Sequence, residues 1–565
     1  MKKTGSYIIS AVLWAGIVAI LYYIFIPAVN IHSQQFWLFV VFAVMVPAFL
    51  IILIRGILFQ SKSEGKIELG FIGAGGGIII IMILLVFFGS PMFHAGRYAS
   101  LLPIKDGDFT KDIDEASAVT KVALMDTDSA RILGNREIGS LTEVVSQFNV
   151  NSDYSQIDYQ GSPMKVSALE YAGFFKYLGN KDKGARGYVQ VDPVGQNATY
   201  VTLDKGMKYI PSSYFGKDLQ RHIRFQYPTA IFNNVHFEID EEGNPFYVAS
   251  VRDYTIGMFG GETIKGAIVC NPVNGECKYY KIKDVPTWVD NVFYGNLLVE
   301  QYNWYGKLSG GYMNSLFGKK GCKKCTETVY AAEASSDDSE DTESTAPDYG
   351  YISKDGDIWI YTGVTSVNDD ASNIGFIMVN ERTGEAKFFK IPGADESSAM
   401  QAAEGEVQEK GFRASFPSLI NVDGTATYIM VLKDANGIVK LYSMVNVEQY
   451  NIVVTATELD ECYTKYRNRI HGKESQEEDS KNTADKQEIP VEDNREVLEA
   501  VLKIERIQYV DIDGNTYVYV TDPEKNIYRR AFKEDPNMIL LNVGDELQVT
   551  YSLGENEIRD IKEIK

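Results

Sequence analysis

Three apolar spans in the first ninety residues constrain this chain more than any other feature: about Ser6 to Val29, Phe36 to Ile54 and Phe71 to Phe88. Each approaches the roughly 20 residues a helix needs to cross a bilayer. Backbone groups in hydrocarbon must find partners within their own segment, so each span predicts a transmembrane helix. A secretory leader has one short apolar core followed by a polar chain, whereas here two more spans follow the first. Lys2 and Lys3 precede the first span, and Arg55, Lys62 and Lys66 separate the second from the third, while Asn30 to Gln35 has neither Lys nor Arg. That asymmetry puts the amino terminus in the cytoplasm and everything after Phe88 outside it, in the membrane of a bacterial cell. Gly73 and Gly77 form a GxxxG spacing that lets helices pack closely, inside the chain's own three-helix bundle or against a second copy. The spans carry no ionisable residue at mid-membrane depth, Arg55 lying just past the second, which argues against a transporter subunit.

After Gly89 the composition changes to alternating Tyr, Val and Ile segments with Gly, Asn and Asp turns. GFIMVNERTGEAKFFKI, from Gly375 to Ile391, alternates on both sides of a Thr383-Gly384 turn, as a hairpin half-buried on one face does. GAIVCNPVNGECKYYKI repeats it from Gly266 to Ile282, with Gly275 in register, and GYVQVDPVGQNATYVTL from Gly187 to Leu203 is a weaker copy. YPTAI from Tyr227 matches FPSLI from Phe416 in the same way. Four units follow, each a helix, a hairpin and a second hairpin. Their helices are expected in EIGSLTEVVSQF from Glu137, around Lys217 to Phe225, in DVPTWVDNVF from Asp284, and from Ser398 to Lys410. Their first hairpins are expected to turn at Gln160-Gly161, Glu242-Gly243, Asp355-Gly356 and Asp423-Gly424. One helix covering the apolar face of a strand pair is an α+β layer.

Helix and hairpins ending in V-x-x-P-x-x-G-E or V-N-x-x-T-G-E resemble the PepSY-type repeats of bacterial envelope proteins. The resemblance covers about Glu137 to Val454, and Tyr302 to Tyr349 departs from it. It implies extracytoplasmic binding or modulation of a protein partner, with no catalytic or cofactor residues to carry over.

Ala331 to Asp348 and Gly472 to Asn494 are acidic, small and without apolar periodicity, and predict a disordered insertion and a linker. Beyond them, Val497 to Lys565 alternates through five short stretches with a turn at Gly514-Asn515, as a small β-barrel of the OB or SH3-like kind does. The expected organisation is therefore a membrane domain at 1–90, repeats at 91–456, a helix end and linker at 457–496, and a barrel at 497–565.

The chemistry-bearing residues are few. The formal net charge of -21 argues against a nucleic-acid partner. None of the five histidines falls in a HExxH or H-x-E pattern, which argues against a zinc hydrolase. Cys270 and Cys277 flank the Gly275 turn where the later copy has Val379 and Ala386, and outside the membrane they predict a cross-strand disulfide if they sit opposite each other. Cys322 and Cys325 form a CxxC among lysines, read as a local disulfide or as a redox pair. Zinc shared between the two pairs is disfavoured, because no histidine stands near Cys270 and Cys277 in the sequence. Cys462 is the odd cysteine, either buried or open to an intermolecular bond. Asp511, Asp513 and Asn515 mimic the start of a calcium loop but lack its later Glu, and read as a hairpin turn. Glu404 with Glu406, and Asp240 with Glu241 and Glu242, read as solvated faces rather than an acid and base pair. No metal, cofactor or catalytic set emerges. The expected protein is a membrane-anchored binding, scaffold or regulatory component of the envelope with a protein or wall partner, able to form homo-oligomers. The competing expectation is an enzyme, either a thiol-disulfide oxidoreductase using Cys322 and Cys325 or a wall hydrolase with dispersed carboxylates.

Overall fold

Helices Lys2–Phe25, Gln34–Ile57 and Lys66–Phe88 open the computed structural model, and all three are long and apolar enough to cross a membrane. The structure describes residues 2–564 apart from 58–64, 116–123, 234, 327–348, 436 and 473–497 and, in the last module, 513–514, 532–534, 536–537, 539–540, 542 and 554–557. The acidic insertion, the linker after Gly472 and Asp513 therefore lie outside the described residues. Gly73 and Gly77, the spacing singled out in the sequence, have open space where a Cβ would stand. Gly75 between them is the buried glycine, and a Cβ there would collide with the Met45 side chain of the second helix.

The chain divides into two compact units, Met1–Lys473 and Glu474–Lys565. Among the described residues of the first, four sheets follow one another, each built on a four-stranded antiparallel meander whose strands pair in chain order, with short further strands added to three of them. The first contains Ser155–Tyr159, Ser162–Tyr171, Ala185–Asp192 and Asn197–Met207. The second contains Val235–Ile239, Pro245–Ile256, Gly260–Cys270 and Cys277–Lys281. The third contains Gly350–Lys354, Asp357–Ser366, Asp369–Asn380 and Ala386–Phe389, with Ile104–Asp106 added in parallel at its outer edge. The fourth contains Ser418–Val422, Thr425–Lys433, Val439–Asn446 and Val453–Ala456.

Local chemistry explains why the four sheets look alike. The first hairpins of sheets one, three and four turn at Gln160-Gly161, Asp355-Gly356 and Asp423-Gly424, with positive φ at both residues, the mirror-image turn that matches strand twist. Each third strand ends in, or is directly followed by, Asp192, Asn271, Asn380 or Asn446, whose side-chain oxygen accepts an amide of the following turn at 2.8–2.9 Å. In sheets two to four an extra residue, Lys265, Ile374 or Lys440, bulges from the third strand just before Gly266, Gly375 or Leu441. A Cβ at Gly266 or Gly375 would run into the carbonyl of Tyr280 or Phe389 on the next strand, which explains the leading glycine of both copies.

Two of the four expected helices form near their expected places, Leu219–Gln226 and Glu396–Gly405. The segment expected as a helix from Glu137 holds instead the end of Thr127–Gly139, the single turn Thr142–Val145 and the start of the strand Phe148–Val150; Asp126 caps Thr127–Gly139 by accepting the Ser129 amide at 2.8 Å. Leu219–Gln226 and Glu396–Gly405 are capped in the same way by Asp218 and Asp395. The helix expected from Asp284 does not form. Beyond a 3-10 turn at Ile282–Asp284 the chain runs irregularly past Pro286, and the helix of that unit is Gly295–Leu308.

Sheets one and two share one apolar core, two and three a second, and three and four a third. The circuit is completed by polar contacts from sheet four back to sheet one: Lys433 pairs with Asp126, and Gln196 donates to the Tyr442 hydroxyl at 2.8 Å. The second unit is a six-stranded sheet around Leu502, Val518, Val520 and Tyr528. Its end strands, Leu498–Lys503 and Arg506–Ile512, are consecutive in the chain, and among the described residues no ladder joins them into a closed barrel.

Gly266→Ala should cost about 1–3 kcal/mol, because the added methyl meets backbone rather than a movable side chain. Thermal unfolding of the detergent-solubilised chain checks this: the midpoint should fall for Gly266→Ala and hold for Gly96→Ala, where a Cβ meets nothing within 4 Å.

Candidate functional site

The face of the body beside the membrane helices is the most specifically built surface. Between the first two helices, residues 26–33 hydrogen-bond to the second sheet and its helix. The Val29 amide donates to the Pro228 carbonyl at 2.8 Å, Asn30 Nδ2 to the Thr229 carbonyl at 2.9 Å, and His32 Nδ1 lies 2.8 Å from the Met258 carbonyl. From the other side, Arg224 Nε donates to the Ile26 carbonyl at 3.0 Å and Arg221 Nε to that of Tyr23 at 3.2 Å. Arg224 is buried over the Phe232 ring, and burial pulls its pKa down to about 10, which leaves it a cation at neutral pH. A second tie follows the third helix: the Tyr98 hydroxyl donates to the Gly89 carbonyl at 2.8 Å, and its ring packs edge-on against Trp304.

Exposed aromatic side chains gather around the first tie. Phe175, Phe215 and Phe225 are 83%, 57% and 53% exposed, and Phe225 lies 6.3 Å from the Tyr23 ring of the first helix. Lys176 follows Phe175 directly and Lys217 stands two residues after Phe215, a mixture suited to a headgroup layer.

A polar hub lies where the first strands of sheets one to three meet. Glu238 accepts the Asp290 and Asn291 amides, both at 2.9 Å, and Asp290 Oδ2 accepts the Asp158 amide at 2.7 Å. Ser353 donates to Asp158, and Asn291 Nδ2 donates to the Gln156 carbonyl at 3.1 Å. The segment expected as a helix is thus held in an irregular conformation, with the Asp290 and Asn291 amides spent on Glu238. Burial above all raises the pKa values of Glu238, Asp290 and Glu381 above the ordinary carboxylate range. All three are at most 2% exposed, which leaves them holding sheets together and out of a substrate's reach.

The sequence-predicted residues fall into separate places. Cys270 and Cys277 are directly opposite in register, and the bond from the Asn271 amide to the Glu276 carbonyl marks theirs as a non-hydrogen-bonded pair, where side chains approach closely. Both are free thiols in the structure, and the hydrogen bond that the Cys270 thiol makes to Cys277 together with burial raises the pKa of Cys270. The expectation that no histidine stands near them is corrected: His222, on Leu219–Gln226, reaches the same spot. Sequence spacing could not reveal it, since a helix of a different segment supplies it.

Cys322 and Cys325 form no disulfide in the structure, and both are buried. Cys325 ends the short strand Lys323–Cys325 and packs in the core with Tyr302 and Val364. The pair does not open a helix, and Cys322 Sγ instead donates to the Lys307 carbonyl at 3.5 Å in the last turn of Gly295–Leu308. Cys462 is buried under the fourth sheet, and desolvation pushes its thiol up to about 12. Glu404 accepts the Ala414 amide at 2.9 Å, and Asp240 accepts those of Glu242 and Asn244, so both serve local folding. Asp522 accepts the Glu524 and Asn526 amides of a turn.

No family model matches the chain, and no curated protein matches it. Among solved structures the crystal structure of a mutant levansucrase from B. megaterium aligns with 80% of this chain and 98% of that one, at 8% identity and a TM-score of 0.18. A likeness that low carries no argument about fold or activity.

A separate buried acid yields a pH prediction. Glu396, fully buried, accepts Thr326 Oγ1 at 2.8 Å and the Gly363 amide at 2.6 Å, and burial raises its pKa from 4.5 to about 7. A raised carboxyl pKa stabilises the fold when protonated. Its contribution is therefore complete below pH 4.5 and is lost as pH rises through 7, about 3 kcal/mol at most. Glu396→Gln should remove that slope and raise the unfolding midpoint at pH 8 above the parent's; unchanged slopes from pH 5 to 8 would contradict it.

Proposed function

We propose that this chain is a membrane-anchored binding and scaffold protein of the bacterial cell envelope, with the region after Phe88 outside the cytoplasm and no catalysis of its own. It regulates or positions a protein or wall partner. On this reading the four meander units are PepSY-type repeats and the last module is an OB-like partner-binding domain.

One observation carries the proposal. The hydrogen bonds that tie residues 26–33 to the second sheet hold the body in a fixed attitude over the membrane helices. A tethered enzyme needs only a flexible stalk, whereas a scaffold needs a defined orientation toward the leaflet and toward its partner. The sequence supports the external placement, because the loop at Asn30 to Gln35 lacks Lys and Arg. A redox role through Cys322 and Cys325 fits less well, since both sulfurs are buried and no helix amino terminus favours a thiolate.

The test combines orientation with capture in intact cells. A cysteine at Asp355, whose side chain is 74% exposed, should react with a membrane-impermeant maleimide before lysis. Photo-crosslinkers along the outer strand Asn197–Met207 should join one envelope protein or wall component. Labelling only after lysis would contradict the placement, and crosslinks to lipid alone would contradict the partner.

A further inference from the structure

We propose that His222, Cys270 and Cys277 form a binding site for a single zinc ion on the membrane-anchored body. One imidazole nitrogen and the two sulfurs lie within 4.8 Å of one another. Zinc holds sulfur at about 2.3 Å and nitrogen at about 2.0 Å, which places neighbouring tetrahedral ligands roughly 3.5 Å apart, so small side-chain rotations complete the set.

The surroundings hold these three groups in advance. The sulfurs project from adjacent strands at a non-hydrogen-bonded pair. The hairpin turn is pinned by the Pro272 carbonyl, which accepts the Lys208 amide at 2.7 Å and the Tyr209 amide at 2.9 Å. His222 stacks on Tyr209 with ring centroids 4.2 Å apart, and its Nε2 lies 2.7 Å from the Gly275 carbonyl. A carbonyl on one imidazole nitrogen is how proteins orient a ligating histidine; binding through Nδ1 retains that bond, and binding through Nε2 replaces it. Gly275 has φ of +82°, and a Cβ there would stand 2.7 Å from the Tyr209 ring and 3.0 Å from His222 Nε2. The turn therefore admits the histidine because it carries no side chain.

The repeat supplies an internal control. In the third sheet the paired residues at the same positions are Val379 and Ala386, and the turn at Gly384 is covered by the Phe293 ring, 3.0 Å from where a Cβ would stand. One copy is apolar at all three places. The other has a ligand-type residue at all three, so the cysteines are not needed to close the hairpin, and their joint appearance with His222 asks for another role.

Binding replaces two thiol protons: Zn²⁺ and two thiols give a dithiolate complex and two H⁺, with the imidazole as third donor. Three protein ligands leave a fourth position, on the partly exposed side of His222 and Cys277, for water or a partner's donor. A disulfide between Cys270 and Cys277 would need an oxidant to take up two electrons and would abolish the site.

Cobalt(II) titration of the reduced full-length chain in detergent, followed by displacement with zinc, tests this. One equivalent should give tetrahedral d–d bands with sulfur-to-cobalt charge transfer and release two protons. The Cys270→Val and Cys277→Ala double variant, copying the third sheet, should keep the far-UV spectrum and lose the bands. The Cys322→Ser, Cys325→Ser and Cys462→Ser variant should keep them, and His222→Ala should weaken binding by more than about tenfold. The proposal is overturned if the reduced chain gives no cobalt bands, if the double variant retains them, or if Cys270 and Cys277 are recovered as a disulfide after alkylation in intact cells.

Discussion

Backbone that leaves a bilayer between two helices must find hydrogen-bond partners, and here the folded body supplies part of the set. The Val29 amide bonds to the Pro228 carbonyl and the Ile26 carbonyl to Arg224, while the Asn30 and His32 side chains reach the Thr229 and Met258 carbonyls, all more than 190 residues further along the chain. The contact links the membrane segment to the second sheet, and through shared cores to every other sheet of the unit. Loss of the buried Arg224 would leave the Ile26 carbonyl without that donor and Phe232 without its cation.

Away from the membrane, repetition and irregularity divide the work. Mirror-image turns, Asx-capped second turns and bulged third strands make four meanders from dissimilar sequences. Irregular pieces then join them: the stretch from Asp284 to Tyr294 places Asp290 and Asn291 on Glu238, and Ile104–Asp106 extends the third sheet. Acidic side chains at the hub accept backbone amides across sheets, so the junction draws on directional hydrogen bonds where an apolar contact would permit sliding.

What the sequence revealed follows the same division. Asp-Gly and Gln-Gly turns were legible because few residues tolerate positive φ, and the hairpin copies because their glycines prevent collision with a neighbouring strand. The membrane spans were legible from length and apolarity alone. The helix expected from Asp284 was misread because the Asp290 and Asn291 amides go to Glu238 of a different strand, a partner that no local pattern announces. Gly73 and Gly77 attracted attention by spacing, yet which glycine meets a neighbouring helix depends on how the helix is rotated, and Met45 meets Gly75. His222 stayed hidden for a similar reason: its place beside Cys270 and Cys277 is set by docking of a helix onto a turn, which no local pattern encodes.

Hydrogen exchange on the full-length chain in lipid nanodiscs tests the tie between membrane segment and body most directly. Peptides covering residues 26–33 should be protected to a degree comparable with the second sheet, and Arg224→Ala should release them while leaving Ser418–Val422 unchanged. Immediate exchange of residues 26–33 in the unaltered chain would contradict a body held against its membrane helices and leave it a domain on a loose tether.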